Sequence, residues 1–304
     1  MSQDYWSFQS VNFPDRFIRH RDFKGELTVK DDPGEDFAFA LVHGLSGSGY
    51  SFQSLNFPDH YLRNLNSRVV LHVLQTDASF AREATFHKVA GLTGAGVSFR
   101  ADALSDFYLR HRDFQLSVAW DGRRDLAADA TFIQQQARWR PYGIIGDRWR
   151  EMGGEHGPLG WPITAEYDVT DQFGVVLGRR CDFENGQLAY SPNQGQRMVL
   201  SVYRRDHTAV FEWGPTDPFG YDFFIVRWSV TGGQPIPPTA QENVTQDSPG
   251  RTRTSGFFLT DLPDNAAGSD GKSAGVSFVV EGCDGGPGSS TCRQGWTCPI
   301  ACRL

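Results

Sequence analysis

Apolar and polar residues alternate over short runs through most of this chain, with the period of half-buried strands and not the 3.6-residue period of helices. The first four runs centre on Phe8, Phe17–Arg19, Glu26–Val29 and Ala38–Val42. Between the first two, Asn12-Phe13-Pro14-Asp15 predicts a tight turn, because proline presets φ for it. The pattern then returns. Ser7-Phe8-Gln9-Ser10-Val11-Asn12-Phe13-Pro14-Asp15 recurs as Ser51-Phe52-Gln53-Ser54-Leu55-Asn56-Phe57-Pro58-Asp59, and in worn form from Ser98-Phe99 to Asp106. Each copy closes alike, on Asp36-Phe37-Ala38-Phe39, Glu83-Ala84-Thr85-Phe86 and Asp129-Ala130-Thr131-Phe132. Three copies of about 45 residues with four strands each predict a β-trefoil, since a propeller needs at least about four blades.

Beyond the repeats the pattern changes. Asp147 to Met152 reads as a short helix with Asp147 as N-cap, stopped by Gly153-Gly154. A hairpin is expected to turn at Asn185-Gly186. From Met198 onward, strand-like runs cover Val199–Tyr203, Ala209–Trp213, Tyr221–Val230, Gly256–Leu262 and Val276–Gly282, which predicts a β-sandwich. The expected fold class is mainly β in three domains: a trefoil over 1–135, a small α+β module over 136–196, and a sandwich with a Cys-rich tail over 197–304.

Composition narrows the function. The 33 Gly and 16 Pro fit many short elements joined by turns. The net charge of −7 argues against nucleic acid and anionic membranes as partners, because both reward a basic surface. No apolar run approaches the roughly 20 residues needed to span a bilayer.

Cys283, Cys292, Cys298 and Cys302 crowd the last 22 residues while Cys181 stands alone. Four cysteines in a Gly-rich tail read as two disulfides. A zinc site and free thiols are the rival readings, although the C-x2-C knuckle of a zinc site is missing. Disulfides point to a secreted or cell-wall-associated protein. The first residues, Met-Ser-Gln-Asp-Tyr-Trp, carry no secretory signal pattern, which leaves a cytoplasmic location open.

At the Phe17-Ile18-Arg19-His20 and Tyr108-Leu109-Arg110-His111 segments, with their closing Asp-x-x-Phe, residues 5–133 resemble the arabinose-binding domain family, carbohydrate-binding module family 42. The resemblance implies a trefoil with shallow pockets for terminal arabinofuranose. It places His20 and Asp36 in one pocket and His111 and Asp129 in another. The middle copy departs, with Asn64 for the His and Glu83 for the Asp, and its pocket is expected to be degenerate. The chemistry is coherent on its own terms. A carboxylate accepts from neighbouring sugar hydroxyls, and Phe17, Tyr108 and the imidazoles offer faces for the sugar's C–H surface. The competing reading makes the same corner structural packing.

Leu159-Gly160-Trp161-Pro162 is similar to the core of an LGFP repeat, a type associated with cell-wall glycans. Trp213, Trp228 and Leu259-x-x-Leu262-Pro263 resemble marks of a fibronectin type III domain. No nucleophile elbow, zincin helix, dinucleotide loop or Walker motif occurs. The sequence therefore predicts a non-catalytic lectin without cofactor or metal, binding glycans with terminal arabinofuranose or similar sugars, cell-wall polysaccharide among them. The alternatives are an accessory part of an α-L-arabinofuranosidase and a cell-wall adaptor without a working sugar pocket.

Overall fold

The computed structural model describes residues 4–31, 33–120, 122, 126–231, 240–262, 275–286 and 288–303. Two compact units result, Met1–Arg140 and Pro141–Leu304.

The first unit is built from the repeats. Copy one gives β1 (Trp6–Ser10), β2 (Arg16–Arg21), β3 (Lys24–Val29) and β4 (Phe39–His43). Copy two gives β5 (Tyr50–Ser54), β6 (His60–Leu65), β7 (Arg68–Val73), the helix α1 (Ala78–Glu83) and β8 (Phe86–Ala90). Copy three gives β9 (Val97–Ala101), β10 (Phe107–Arg112), β11 (Gln115–Trp120), α2 (Leu126–Asp129) and β12 (Phe132–Gln136). The second and third strands of each copy form a hairpin. The strand that closes each copy pairs with the one that opens the next: β4 with β5, β8 with β9, and β12 back onto β1.

These pairings correct the expectation of a β-trefoil. All twelve strands belong to one sheet, and a Ser117–Arg68 pairing between β11 and β7 closes it. The resulting ten-strand barrel runs β11-β3-β2-β1-β12-β9-β8-β5-β6-β7, with β4 and β10 attached beside it. The physical reason is that each copy leaves the edges of its outer strands unpaired. Those edges are satisfied across copy boundaries, so the hydrogen-bonded ladder is continuous around the unit.

The alternation fills the interior. Phe8, Phe52 and Phe99, equivalent in the three copies, are fully buried and meet edge-on at 5.2, 5.4 and 4.8 Å. The closing residues Phe39, Phe86 and Phe132 join the same core. Edge-to-face contact is the favoured aromatic geometry, so one residue type serves three positions without a clash.

In the second unit, α3 (Gly143–Glu151) precedes β13 (Tyr167–Thr170), β14 (Val176–Phe183), β15 (Gly186–Tyr190), β16 (Val199–Arg205) and β17 (Thr208–Gly214). The helix starts four residues before Asp147, which sits inside it and pairs with Arg150 one turn on. Then follow β18 (Phe223–Thr231), β19 (Ala240–Val244), β20 (Gly256–Asp261), β21 (Gly275–Gly286), β22 (Ser289–Thr291) and β23 (Ile300–Arg303). A six-stranded sheet, β13-β14-β15-β16-β17-β20, shares a core with a five-stranded one in which β18 and β21 are central. Phe211 of the first stacks on Phe278 of the second at 5.0 Å. The arrangement is sandwich-like. Residue 196, the expected boundary between middle and last modules, lies between β15 and β16, which pair over five residues. Pro263, part of the fibronectin-like pattern, lies outside the described residues.

The tail differs from expectation. Cys283 and Cys292 form a disulfide, whereas Cys298, Cys302 and Cys181 are unbridged and buried. Cys298 lies just before β23, and Cys302 within that strand opposes Val276 of β21. Both thiols thus serve as small apolar core residues, and burial pushes Cys302 up to about 11. Glu281 lies within 4.8 Å of the disulfide sulfurs, but sulfurs bonded to each other are not thiolate ligands.

Candidate functional site

The candidate site begins with three short elements. Strand β2 brings Arg19 and His20 inward, and the 3-10 turn Gly34–Phe37 carries Asp36 to meet them. That turn needs a glycine at its start, since a Cβ on Gly34 would lie 2.9 Å from the Cβ of Trp139. The third element is the turn after β5, from copy two, which supplies Asn56 and Phe57.

Arg19 is only 2% exposed and donates to Asp36 and Asp31, while its Nε donates to the carbonyl of His20 at 3.2 Å. Its guanidinium also lies over the Phe37 ring at 4.6 Å. Asn56 bridges the imidazole and the carboxylate: its Nδ2 donates to Asp36 Oδ1 at 2.9 Å, and its Oδ1 lies 2.9 Å from His20 Nε2. Ser54 Oγ also donates to Asn56 Oδ1, at 2.8 Å. The amide is thereby oriented, and His20 must donate from Nε2, which leaves Nδ1 as an acceptor. Burial lowers the pKa of His20, against the opposing pull of Asp36, so the ring is neutral near pH 7.

Arg19, His20 and Asp36 line a cavity of about 370 Å³ together with Arg21, Asp22, Phe23, Pro33 and Phe57. Phe57 meets His20 edge-on at 5.5 Å, and Phe23 packs against Phe57 at 5.3 Å. Phe23 sits in the hairpin turn between β2 and β3 with φ +58, a left-handed conformation that an aromatic residue rarely adopts. The turn therefore accepts strain to put a ring at the rim.

The same arrangement recurs at the other end of the repeat. Arg110 Nη2 donates to Asp129, and its Nε donates to the His111 carbonyl at 3.0 Å. Asn12, from copy one, donates to Asp129 Oδ1 at 2.8 Å and accepts from His111 Nε2 at 3.0 Å. Phe13 meets His111 edge-on at 5.3 Å, and Phe114, with φ +60, stacks on it at 6.5 Å. Burial again lowers the pKa of the histidine.

The middle copy keeps one element of this set. Arg63 pairs with Glu83 at the end of α1, but Asn64 Oδ1 is buried without a hydrogen-bond partner among the described residues. Its neighbour copy supplies Ala101, Ala103 and Leu104 where the other pockets have Ser, Asn and Phe, and the hairpin turn holds Ser67 in place of Phe.

The structure thus brings together His20 with Asp36 and His111 with Asp129. It does not place Phe17 among the cavity-lining residues, since that ring is covered by Lys30, whose Nζ lies 4.4 Å from its centroid. Tyr108, its equivalent, is half-buried and opposes Ala119 and Arg100. Sequence reasoning missed Arg19, Arg110, Asn12, Asn56, Phe23 and Phe114. The signal was present: Asn-Phe-Pro-Asp is kept in copies one and two and lost in copy three, while His-Arg-Asp-Phe is kept in copies one and three and lost in copy two, so both parts of the middle corner are missing.

Residues 6–134 match the family model of the alpha-L-arabinofuranosidase B (ABFB) domain, so an AbfB domain is present in the first unit. The match does not reach the segments likened to LGFP and fibronectin type III modules. Among solved structures, a GH54 α-L-arabinofuranosidase soaked with a cyclic sulfate inhibitor is similar at 27% identity and a TM-score of 0.43, covering 45% of this chain and 32% of the enzyme. An arabinofuranosidase complexed with arabinofuranosyl-α-1,2-xylobiose is similar at 26% identity, with the same TM-score and coverage. The chain spans about a third of the length of these enzymes. A comparison with curated proteins gives no match.

Proposed function

We propose that the first unit is a non-catalytic carbohydrate-binding domain that takes terminal arabinofuranose or similar sugars in two pockets, one at His20–Asp36 and one at His111–Asp129. The observation that carries this reading is the shared set of Arg, His, Asp, Asn and two Phe in both pockets, absent as a set from the middle copy. A purely structural corner would be expected to survive in all three copies. Each aspartate uses one lone pair of each oxygen within the protein, one for Asn and one for Arg, and keeps others for sugar hydroxyls. The imidazole and phenylalanine rings give the C–H face of a furanose an apolar wall. Two shallow pockets on one chain gain through avidity on a branched polysaccharide.

The AbfB match supports arabinose as the sugar class and favours a place beside arabinofuranose-releasing enzymes, as an accessory module. The disulfide supports an extracellular or cell-wall setting. Duplicated pockets are the mark of repeated binding, whereas one assembled reaction centre is the mark of an enzyme. Isothermal titration with arabinofuranosyl-substituted xylo-oligosaccharides tests the reading, with two sites expected per chain. Unchanged affinity in Asp36→Ala/Asp129→Ala would sink it, and release of nitrophenol from a nitrophenyl arabinofuranoside would overturn its non-catalytic part.

A further inference from the structure

We infer that the second unit holds a separate pocket for a neutral sugar ring, lined by Arg148, Glu212, Gly214, Gly256 and Phe257. Glu212 on β17 and Phe257 on β20 are direct cross-strand partners, so their side chains rise from the same face of the sheet. Arg148 of α3 reaches that face and donates from Nη2 to Glu212 Oε2 at 2.8 Å. The cavity they border measures about 320 Å³, at the small end of ligand pockets.

The carboxylate is held from behind. Ser201 Oγ donates to Glu212 Oε2 at 3.1 Å, and the Tyr203 hydroxyl lies 3.4 Å from Oε1. Glu212 is therefore oriented before any ligand arrives and keeps acceptor capacity on Oε1. Arg148 Nε is buried with no hydrogen-bond partner among the described residues, an unsatisfied donor on a side chain that lines the cavity. Glycines leave the backbone bare around it. Gly214 has φ +111, and Gly250 has φ +69 and packs on the Phe257 ring, whose Cε1 would lie 2.5 Å from an added Cβ.

Charge selects the ligand class. The charged side chains lining the cavity are one of each sign, so neither an anion nor a cation gains a net Coulombic advantage. A fixed acceptor beside a fixed donor suits a hydroxyl pair, which both donates and accepts. The half-buried ring of Phe257 gives the C–H face a wall. The competing role for Arg148–Glu212 is a clamp that holds α3 to the sheet and binds nothing.

The inference does not depend on the pockets of the first unit, and the test removes them. In full-length Asp36→Ala/Asp129→Ala protein, saturation-transfer NMR is measured with the methyl glycosides of arabinofuranose, xylose, galactose and glucose at millimolar concentration. Transfer to at least one is expected. It should fall at least fivefold in Phe257→Ala, which leaves the Arg148–Glu212 pair in place, and in Glu212→Gln. Circular dichroism confirms that each variant is folded. No transfer from any of the four, or transfer unchanged in folded Phe257→Ala, overturns the pocket and leaves the clamp.

Discussion

Asn56 Oδ1 lies 2.9 Å from His20 Nε2 although the two residues belong to different sequence repeats. Each pocket is completed by the copy that follows it around the barrel, with Asn12 doing for His111 what Asn56 does for His20. Asn56→Ala should therefore silence the pocket of copy one while leaving that of copy three intact. Titration with arabinofuranosyl oligosaccharide should show the stoichiometry fall from two sites to one, and Asn12→Ala should remove the other. A stoichiometry of two in Asn56→Ala would mean that the bridge does not shape the pocket.

Phe23 offers a test that separates binding from stability. Its left-handed turn position costs an L-residue roughly 1–2 kcal/mol, which glycine escapes. Phe23→Gly gives up packing against Phe57 and His60 but relieves that strain. Urea unfolding should shift by less than about 1 kcal/mol, while sugar affinity at this pocket falls about tenfold or more, the scale of one lost aromatic contact with its water-excluding neighbours. A large stability loss with unchanged affinity would make the ring structural.

The histidines predict an acid limit. His20 and His111 have pKa values lowered in the folded state, chiefly by burial, so the unfolded chain binds protons more readily. Their neutral forms contribute stability that is fully present above the unfolded value of about 6.5. It is lost as pH falls from there through the folded values. Melting temperature and sugar affinity should both decline below pH 6.5, and the decline in stability should shrink in His20→Gln/His111→Gln. A pH profile unaltered by that double change would show that other groups set the acid limit.

The repeat was legible because its message is redundant. Phe8, Phe52 and Phe99 announce one environment three times, and strand boundaries follow from alternation alone. The closure of the sheet was not, since which edge satisfies which depends on pairings such as Ser117–Arg68 that leave no periodic trace. The His–Asp pairs were visible, yet Arg19 read as an ordinary strand residue because nothing in the sequence shows that it is 2% exposed under Phe37. Cys298 and Cys302 misled for a related reason. A cysteine-rich tail reads as two bridges, whereas packing of β23 and the segment before it puts both residues into the core.

The cysteines give the last prediction. With Cys283 and Cys292 bridged and Cys181, Cys298 and Cys302 unbridged, a thiol count on unreduced, denatured protein should find three of the five. Native protein should react far more slowly, because Cys181, Cys298 and Cys302 are all buried and the thiols of Cys298 and Cys302 are held in the protonated form. Reduction should open the loop from Cys283 to Cys292 and destabilise the second unit by about 2–3 kcal/mol, the chain-entropy value for a loop of this length. The first unit has no cysteine and should melt unchanged, so a reductant that shifts sugar binding at His20 or His111 would contradict the independence of those pockets from the tail. A count of one thiol would instead mean that two of Cys181, Cys298 and Cys302 pair in solution.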